Sequence, residues 1–398
     1  MVTYLAITSR HTAKKFLVVL LLTAFLLPSF CFAASYDHTY ELLNHPDGAT
    51  EYKLTVSVTP TLYDYYRSRD HNLYLYNFAK FVTPHSLKPV ADSLWSIYSD
   101  EEDFANGVLM IVHQIPYVES GPQKYPVETI VENEGDCDLF SFVAASIMMA
   151  GGLDVVLFFY ESQSHMNVGV NLPHEPEDAR STVTYYSYER KRYYVAECTG
   201  GEWRDGWRVG ETPETFSGVS ARIITLEGYE KMAPGQVSSS YGVLAPSSLA
   251  FAVSSRFVLA ERAVIMNGSI SPAFPGKNVT LYLSSTGSPL SVLATVATDS
   301  GGRFSYTWRP SSAGIYSVRA SWSGDVDYAG AESSTYRLTV VPLEWLLMGV
   351  TVIASLAVLL AVILATRGKS PEEPQYFGGA ARIRTGVPRA QVSEPRPS

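Results

Sequence analysis

The chain has 398 residues, 46% hydrophobic, 17% charged and 12% aromatic, too apolar for a mainly disordered protein and long enough for about two domains. Its 30 Lys+Arg stand against 39 Asp+Glu, a formal net charge of −9, which argues against a nucleic-acid partner because that needs a clustered basic face. Three cysteines exclude a disulfide-rich scaffold and a four-cysteine zinc site.

Residues 1–33 read as a secretory signal. Arg10, Lys14 and Lys15 form its basic opening, Phe16–Leu27 its apolar stretch, Pro28 the break, and Ala33-Ala34 the small residues for cleavage. Residues 36–232 then mix helical and strand patterns and form the first expected domain. Within it, Ser99-Asp100-Glu101-Glu102 has the form of a capping box opening an amphipathic helix with Phe104, Val108, Ile111 and Val112. The segments HQIPYV and Tyr125-Pro126-Val127-Glu128-Thr129-Ile130 follow.

The next three segments carry chemistry. After Glu134-Gly135-Asp136-Cys137-Asp138, the residues Phe140, Val143, Ala144 and Ile147 recur at helical spacing, and Gly151-Gly152 ends the pattern. Asp136 is the expected N-cap, so Cys137 falls at the start of a buried helix. There the macrodipole and free amides favour thiolate over thiol. The same amides suit an oxyanion on a carbonyl attacked by the sulfur.

Val155–Tyr160 reads as an apolar strand, and His165–Val170 as a second strand with His165, Asn167 and Gly169 on one face. The polar stretch Pro173–Arg192 reads as a long hairpin. Tyr193–Cys198 is a further strand whose Glu197 and Cys198 point to opposite faces. If Glu197 faces His165, Cys198 faces away and cannot be the nucleophile. A Cys137–Cys198 disulfide is the competing use of the two thiols in an exported chain.

Cys as nucleophile, His as proton carrier and a carboxylate to orient the imidazole make a thiol protease-like triad. The order Cys137, His165, Glu197, together with the IPY turn, YPVET, GDC and the later CTGGEWRDGWRVGE, resembles the transglutaminase-like domains of prokaryotic, in particular archaeal, proteins. The likeness covers roughly residues 76–212. It implies a papain/transglutaminase-like α+β fold, with Cys137 on a helix N-terminus packed on an antiparallel sheet. It also implies acyl transfer through Cys137, His165 and Glu197, with Gln114 and Tyr117 as candidates for a second oxyanion donor. Four features depart from that family: the acid is Glu rather than Asp, the acidic pair with a hydroxyl after Cys is replaced by Asp138-Leu139-Phe140-Ser141, the extra stretch Pro173–Arg192 lies between His165 and Glu197, and no Trp matches the usual oxyanion position. An NlpC-type cell-wall endopeptidase is a second reading, from the Asp-Cys pair and the HMNVGV strand. A third is a non-catalytic surface adhesin with a degenerate groove.

His85, His113 and His174 have no metal-ligand spacing and there is no phosphate-binding glycine loop. Neither a metal nor another cofactor is therefore expected. The stretch 233–248 has linker composition. From 249 to 341 the pattern is all-β, with runs at Val279–Leu283, Phe304–Trp308 and Tyr316–Trp322 separated by turn signals. The run TDSGGRFSYTWRPSSAGIYSVRASWSGDVDYAGAES resembles the Ig-like modules of bacterial and archaeal surface proteins, which implies a spacer or adhesion sandwich. Asn267-Gly268-Ser269 and Asn278-Val279-Thr280 are glycosylation sequons.

Between Glu344 and Arg367 the 22 residues 345–366 carry no charge. At ~1.5 Å per residue they span roughly 33 Å, enough for a bilayer core of about 30 Å. Arg367 and Lys369 follow at once, so the positive-inside rule puts the tail 367–398 in the cytoplasm and the preceding domains outside. The Pro-rich tail is expected to be disordered. The expectation is thus a single-pass cell-membrane protein whose outer domain meets a peptide or protein substrate.

Overall fold

The computed structural model describes residues 35–367 except positions 75, 120, 201, 217 and 233. The expected signal at 1–33 and the tail beyond 367 lie outside the described residues. The chain divides into two compact units, one ending at Pro342 and one starting at Leu343.

The first unit opens with β1 (Tyr36–Leu43) and β2 (Glu51–Val58), an antiparallel pair, and then four helices: α1 (Pro60–Arg67), α2 (Pro84–Trp95), α3 (Glu101–Val112) and α4 (Pro126–Glu132). Proline starts three of these helices, where its missing N–H costs nothing. Helix α3 is capped by Asp100, whose carboxylate accepts from Asp103 N–H at 2.9 Å. The predicted box on Ser99 is thereby corrected by one residue. Glu102 turns away from the helix end because it is buried and accepts the Glu177 and Asp178 amides at 2.9 and 2.8 Å.

Helix α5 (Cys137–Ala150) is the centre of the core. Eleven of its residues are buried, and it packs against α2, α3 and α4 and against the strands that follow. Those strands are β3 (Asp154–Tyr160), β4 (His165–Asn171), β5 (Tyr185–Tyr188) and β6 (Lys191–Ala196), completed by β7 (Arg222–Ile224) in the order β5-β6-β4-β3-β7. All the pairings are antiparallel. Alternation sorts their two faces: Leu157, Met166, Val168, Tyr194 and Ala196 join the core around α5. Val156, Phe158, Tyr160, Tyr193 and Val195 form a second apolar layer on the opposite face, covered by Phe216, Val219 and Ile223. Gly169 lacks a side chain for a steric reason, since a Cβ there would lie 2.3 Å from the Phe158 ring.

Pro173–Arg192 is not one long hairpin. The hairpin is β5–β6 alone, turning at Glu189 and Arg190 with φ of 47° and 66°. Residues 172–184 contain no strand. Side chains hold them instead: Arg180 meets Glu211 at 2.7 Å, and Arg208 Nη1 donates to the Asp178 carbonyl at 3.0 Å.

The expected linker at 233–248 is built into the fold. Its residues Ser238–Ser240 form β8, the third strand of the sheet β1-β2-β8, and Val237, Ser238 and Ser239 are buried. The small hydroxyl side chains fit this tight edge, with Ser239 Oγ 3.0 Å from Ser93 Oγ. Composition alone reads such a serine run as a tether.

Beyond it stands a β-sandwich. One sheet has the order β14-β11-β9, from β9 (Ser248–Val253), β11 (Val264–Ser271) and β14 (Arg303–Trp308). The other has the order β10-β17-β15-β12-β13, with β16 paired to β15. These strands are β10 (Phe257–Leu259), β12 (Asn278–Ser285), β13 (Ser291–Ala297), β15 (Gly314–Gly324), β16 (Ala329–Glu332) and β17 (Tyr336–Val341). Leu249, Phe251, Met266, Leu281, Phe304, Trp322 and Leu338 fill the space between the sheets.

The sandwich docks on the α-helical part rather than hanging from it. Tyr282 is buried in the first core and donates to the Pro234 carbonyl at 2.9 Å, while Arg319 pairs with Asp64 at 2.9 Å. Asn267 and Asn278 are both exposed, in β11 and at the start of β12, but the sequon hydroxyl of Thr280 belongs to a buried residue.

The second described unit is the helix α6 (Leu343–Arg367). Its stretch Leu343–Ala365 is 23 residues long and apolar enough to cross a membrane, consistent with a single-pass membrane protein.

Candidate active site

Cys137 is the first residue of α5, and the Asp136 carboxylate caps that helix by accepting from Leu139 N–H at 3.4 Å. The loop before it is fixed by the IPY turn: Val118 N–H donates to the Gly135 carbonyl at 2.7 Å, and Gly135 N–H to the Pro116 carbonyl at 3.2 Å. Two segments that are 18 residues apart in the pairing Tyr117–Gly135 thus meet at the helix entrance. The YPVET segment supports them from behind, with Pro126 opening α4 and Glu128 tied to Tyr125 N–H at 2.9 Å and to His71 at 2.9 Å.

His165 and Glu197 form the best-defined pair. His165 Nε2 lies 2.9 Å from Glu197 Oε2 and 3.1 Å from Oε1. The imidazole is 12% exposed and the carboxylate 0%. Glu197 also accepts from Asn167 Nδ2 at 3.1 Å, from Thr199 N–H at 2.9 Å and from Thr199 Oγ1 at 2.6 Å. Burial raises its pKa, but the bonds from His165 and Thr199 outweigh this and hold the carboxyl below the usual range. His113, itself buried, donates from Nε2 to the Glu197 carbonyl at 2.9 Å. With a carboxylate on Nε2, the ring proton sits there and Nδ1 keeps its lone pair.

Phe216 stacks on the imidazole, with centroids 4.5 Å apart and planes at 19°. Neither Phe216 nor Thr199 was marked by the sequence reading. Asn167 stands on the His165 face, where β-alternation puts it, and bonds Glu197 there. The stack comes from a segment 19 residues past Glu197, and no local pattern announces it.

The thiol differs from expectation. Cys137 Sγ lies 3.6 Å from Asp138 Oδ1 and 3.9 Å from the Ser164 carbonyl, two acceptors for its one S–H. Burial and then the Asp138 carboxylate push it up to about 12, against the pull of the helix end. Asp138 is itself raised to about 6 by burial and by Asp136, and Gln123 Nε2 reaches its other oxygen at 3.5 Å. Burial and Asp138 thus both oppose ionisation of the Cys137 thiol.

Cys198 is buried on the α5 face of the sheet, opposite Glu197, and both thiols are free. Of the two oxyanion candidates, Gln114 is corrected. Its amide is consumed by β1 and α3, donating to the Glu41 and Met110 carbonyls at 2.8 Å and accepting from Glu41 N–H at 2.8 Å. Tyr117 is 56% exposed, and its hydroxyl feels Cys137, Asp136 and Asp138 after burial as the causes that raise its pKa. A cavity of about 600 Å³ lies elsewhere, lined by Tyr65, Arg69, Tyr125, Leu290 and Val292.

No family model matches the chain, and no curated protein does. Similar solved structures include a chitin binding domain from Burkholderia pseudomallei, 13% identical with TM-score 0.18, over 22% of this chain and 56% of that one. A β-glucosidase from Listeria innocua is 13% identical with TM-score 0.17, over 24% of this chain and 16% of that one. The CARDB domain of a Pyrococcus furiosus protein, in complex with di-metal ions, is 12% identical with TM-score 0.18, over 25% and 93%. Likenesses this partial carry no argument about fold or activity.

Proposed function

We propose that the chain is a membrane-anchored, extracytoplasmic thiol acyl-transfer enzyme of transglutaminase-like type, acting as a peptidase or amidase. The observation that carries the reading is the buried Glu197 carboxylate on His165 Nε2 at 2.9 Å, with a free thiol that opens a buried helix and lies 3.9 Å from the carbonyl of Ser164, the residue before His165. In the reaction, Sγ turns from Asp138 to a substrate amide carbonyl and hands its proton to His165 Nδ1 as the S–C bond forms. The C–N bond then breaks, Nδ1 returns the proton to the leaving amine, and a thioester remains. Water adds to the thioester with His165 as base, releasing the acid and restoring the thiol. Glu197 keeps the imidazole in the required tautomer, and the Cys137 amide, with no intrahelical acceptor, faces the oxyanion.

The helix Leu343–Arg367 is the anchor, with Arg367 and Lys369 on the cytoplasmic side. The sandwich serves as a surface module of Ig-like type.

A binding reading has one observation in its favour, the Cys137 thiol buried 3.6 Å from the Asp138 carboxylate, which disfavours the thiolate. Digestion of a peptide library by the full chain in detergent, read by mass spectrometry, separates the two. New termini that vanish in Cys137→Ala and His165→Ala are expected. No products, together with a thiol whose alkylation ignores His165→Ala, would leave only the binding reading.

A further inference from the structure

We infer that His45, Asp103 and Asp178 form a site for one divalent transition-metal ion, away from Cys137. The three residues come from three separate parts of the chain: the loop after β1, the first turn of α3 and the strandless stretch 172–184. Their spacing in sequence therefore shows nothing. In space one nitrogen and two carboxylate oxygens lie within 4.8 Å of one another. His45 Nε2 is 3.1 Å from Asp178 Oδ1 and 3.8 Å from Asp103 Oδ1. A tetrahedral ion with ligands at ~2.0–2.2 Å holds neighbouring ligand atoms about 3.4 Å apart, so these distances straddle the required edge.

A second observation points to a cation. Asp103 Oδ1 is sealed from solvent and accepts no hydrogen bond, although a buried acceptor without a donor is costly. Arg208 is committed to Asp47 and to the Asp178 carbonyl. Two carboxylates and a neutral imidazole balance a divalent charge, and the imidazole favours a transition metal over calcium or magnesium.

The ligands are already held in place. Asp103 N–H is bonded to Asp100 Oδ1 at 2.9 Å, Asp178 N–H to Glu102 Oε1 at 2.8 Å, and Asp178 Oδ2 takes Asn106 Nδ2 at 3.3 Å. His45 is 40% exposed, which leaves the ion a way in. Ligation displaces the proton that His45 Nε2 shares with Asp178. It also costs the 3.2 Å bond from Asp47 N–H to Nδ1 if that proton moves across the ring. Water completes the shell. The ion would clip the 172–184 stretch to α3, a structural role.

The test uses the full chain in detergent, stripped with a chelator and titrated with zinc chloride by calorimetry, with thermal unfolding read in parallel. One ion per chain and a rise in Tm are expected. His45→Ala and Asp103→Asn should each weaken binding by at least about tenfold and abolish the Tm rise. Cys137→Ala should retain both, so a failure of the proposed acyl transfer leaves this result intact. Asp178→Asn serves if another variant misfolds. Absence of a zinc-dependent Tm rise, binding that survives His45→Ala, or preference for calcium over zinc would each overturn the site.

Discussion

Glu197 reaches His165 along a diagonal of the sheet. The antiparallel register pairs Val168 with Ala196 and Val170 with Tyr194, and one further step puts Asn167 opposite Glu197. His165 lies two residues beyond Asn167 on the same face, a diagonal neighbour whose Cβ is about 7–8 Å away. The glutamate arm, one methylene longer than aspartate, spans that gap to bond Nε2 at 2.9 Å. Asn167 and Thr199 bond the carboxylate at the end of that arm.

Replacing Glu197 by Gln keeps the volume but loses the charge and the tautomer control. Turnover of a library-derived substrate should fall on the order of 10³–10⁴-fold, with the protein still folded by circular dichroism. A loss below tenfold would remove Glu197 from the orienting role.

In the proposed reaction Asp138 restrains the Cys137 thiol. With its own carboxyl near 6 and the Cys137 thiol near 12, ionising Asp138 adds a negative charge that makes the thiolate harder to form. Asp138→Asn should lower the thiol pKa, and alkylation of Cys137 at neutral pH should accelerate about tenfold for each unit recovered. An unchanged rate would show that burial alone sets the thiol.

His113 couples stability to pH. Burial depresses its folded-state pKa despite the Glu197 carbonyl on Nε2, so below an unfolded value of ~6.5 the unfolded chain binds the extra proton. Stability should fall as pH drops from about 7 to about 5, and more steeply than in His113→Gln. Parallel Tm curves for the two proteins would contradict this.

Gly169→Ala places a methyl against the Phe158 ring, at 2.3 Å before any adjustment. Strands β3 and β4 leave that ring little room, and a cost of about 1–3 kcal/mol in chemical unfolding is expected. Adding Phe158→Leu should recover part of it.

Local periodicity made most of the fold legible. The helix at 137–150, the strands at 155–160 and 165–170, and the runs that became β12, β14 and β15 followed from apolar spacing and turn residues. The opposed faces of Glu197 and Cys198 needed only β-alternation. What stayed hidden depended on long-range contacts. The state of the Cys137 thiol is decided by how deeply the helix start is buried beside Asp138, which outweighs the helix dipole. Gln114 looked available until β1 claimed its amide, and Glu102 left its cap for backbone amides some 75 residues on.

The strand Ser238–Ser240 has a consequence for biosynthesis. It completes a sheet begun by Tyr36–Val58, so the opening hairpin waits for some 180 residues to be made before its edge is covered. During synthesis that edge is open to pairing with other chains. The strand that completes the N-terminal sheet is thus made only after helices α1–α5 and the five-stranded sheet, and before the sandwich.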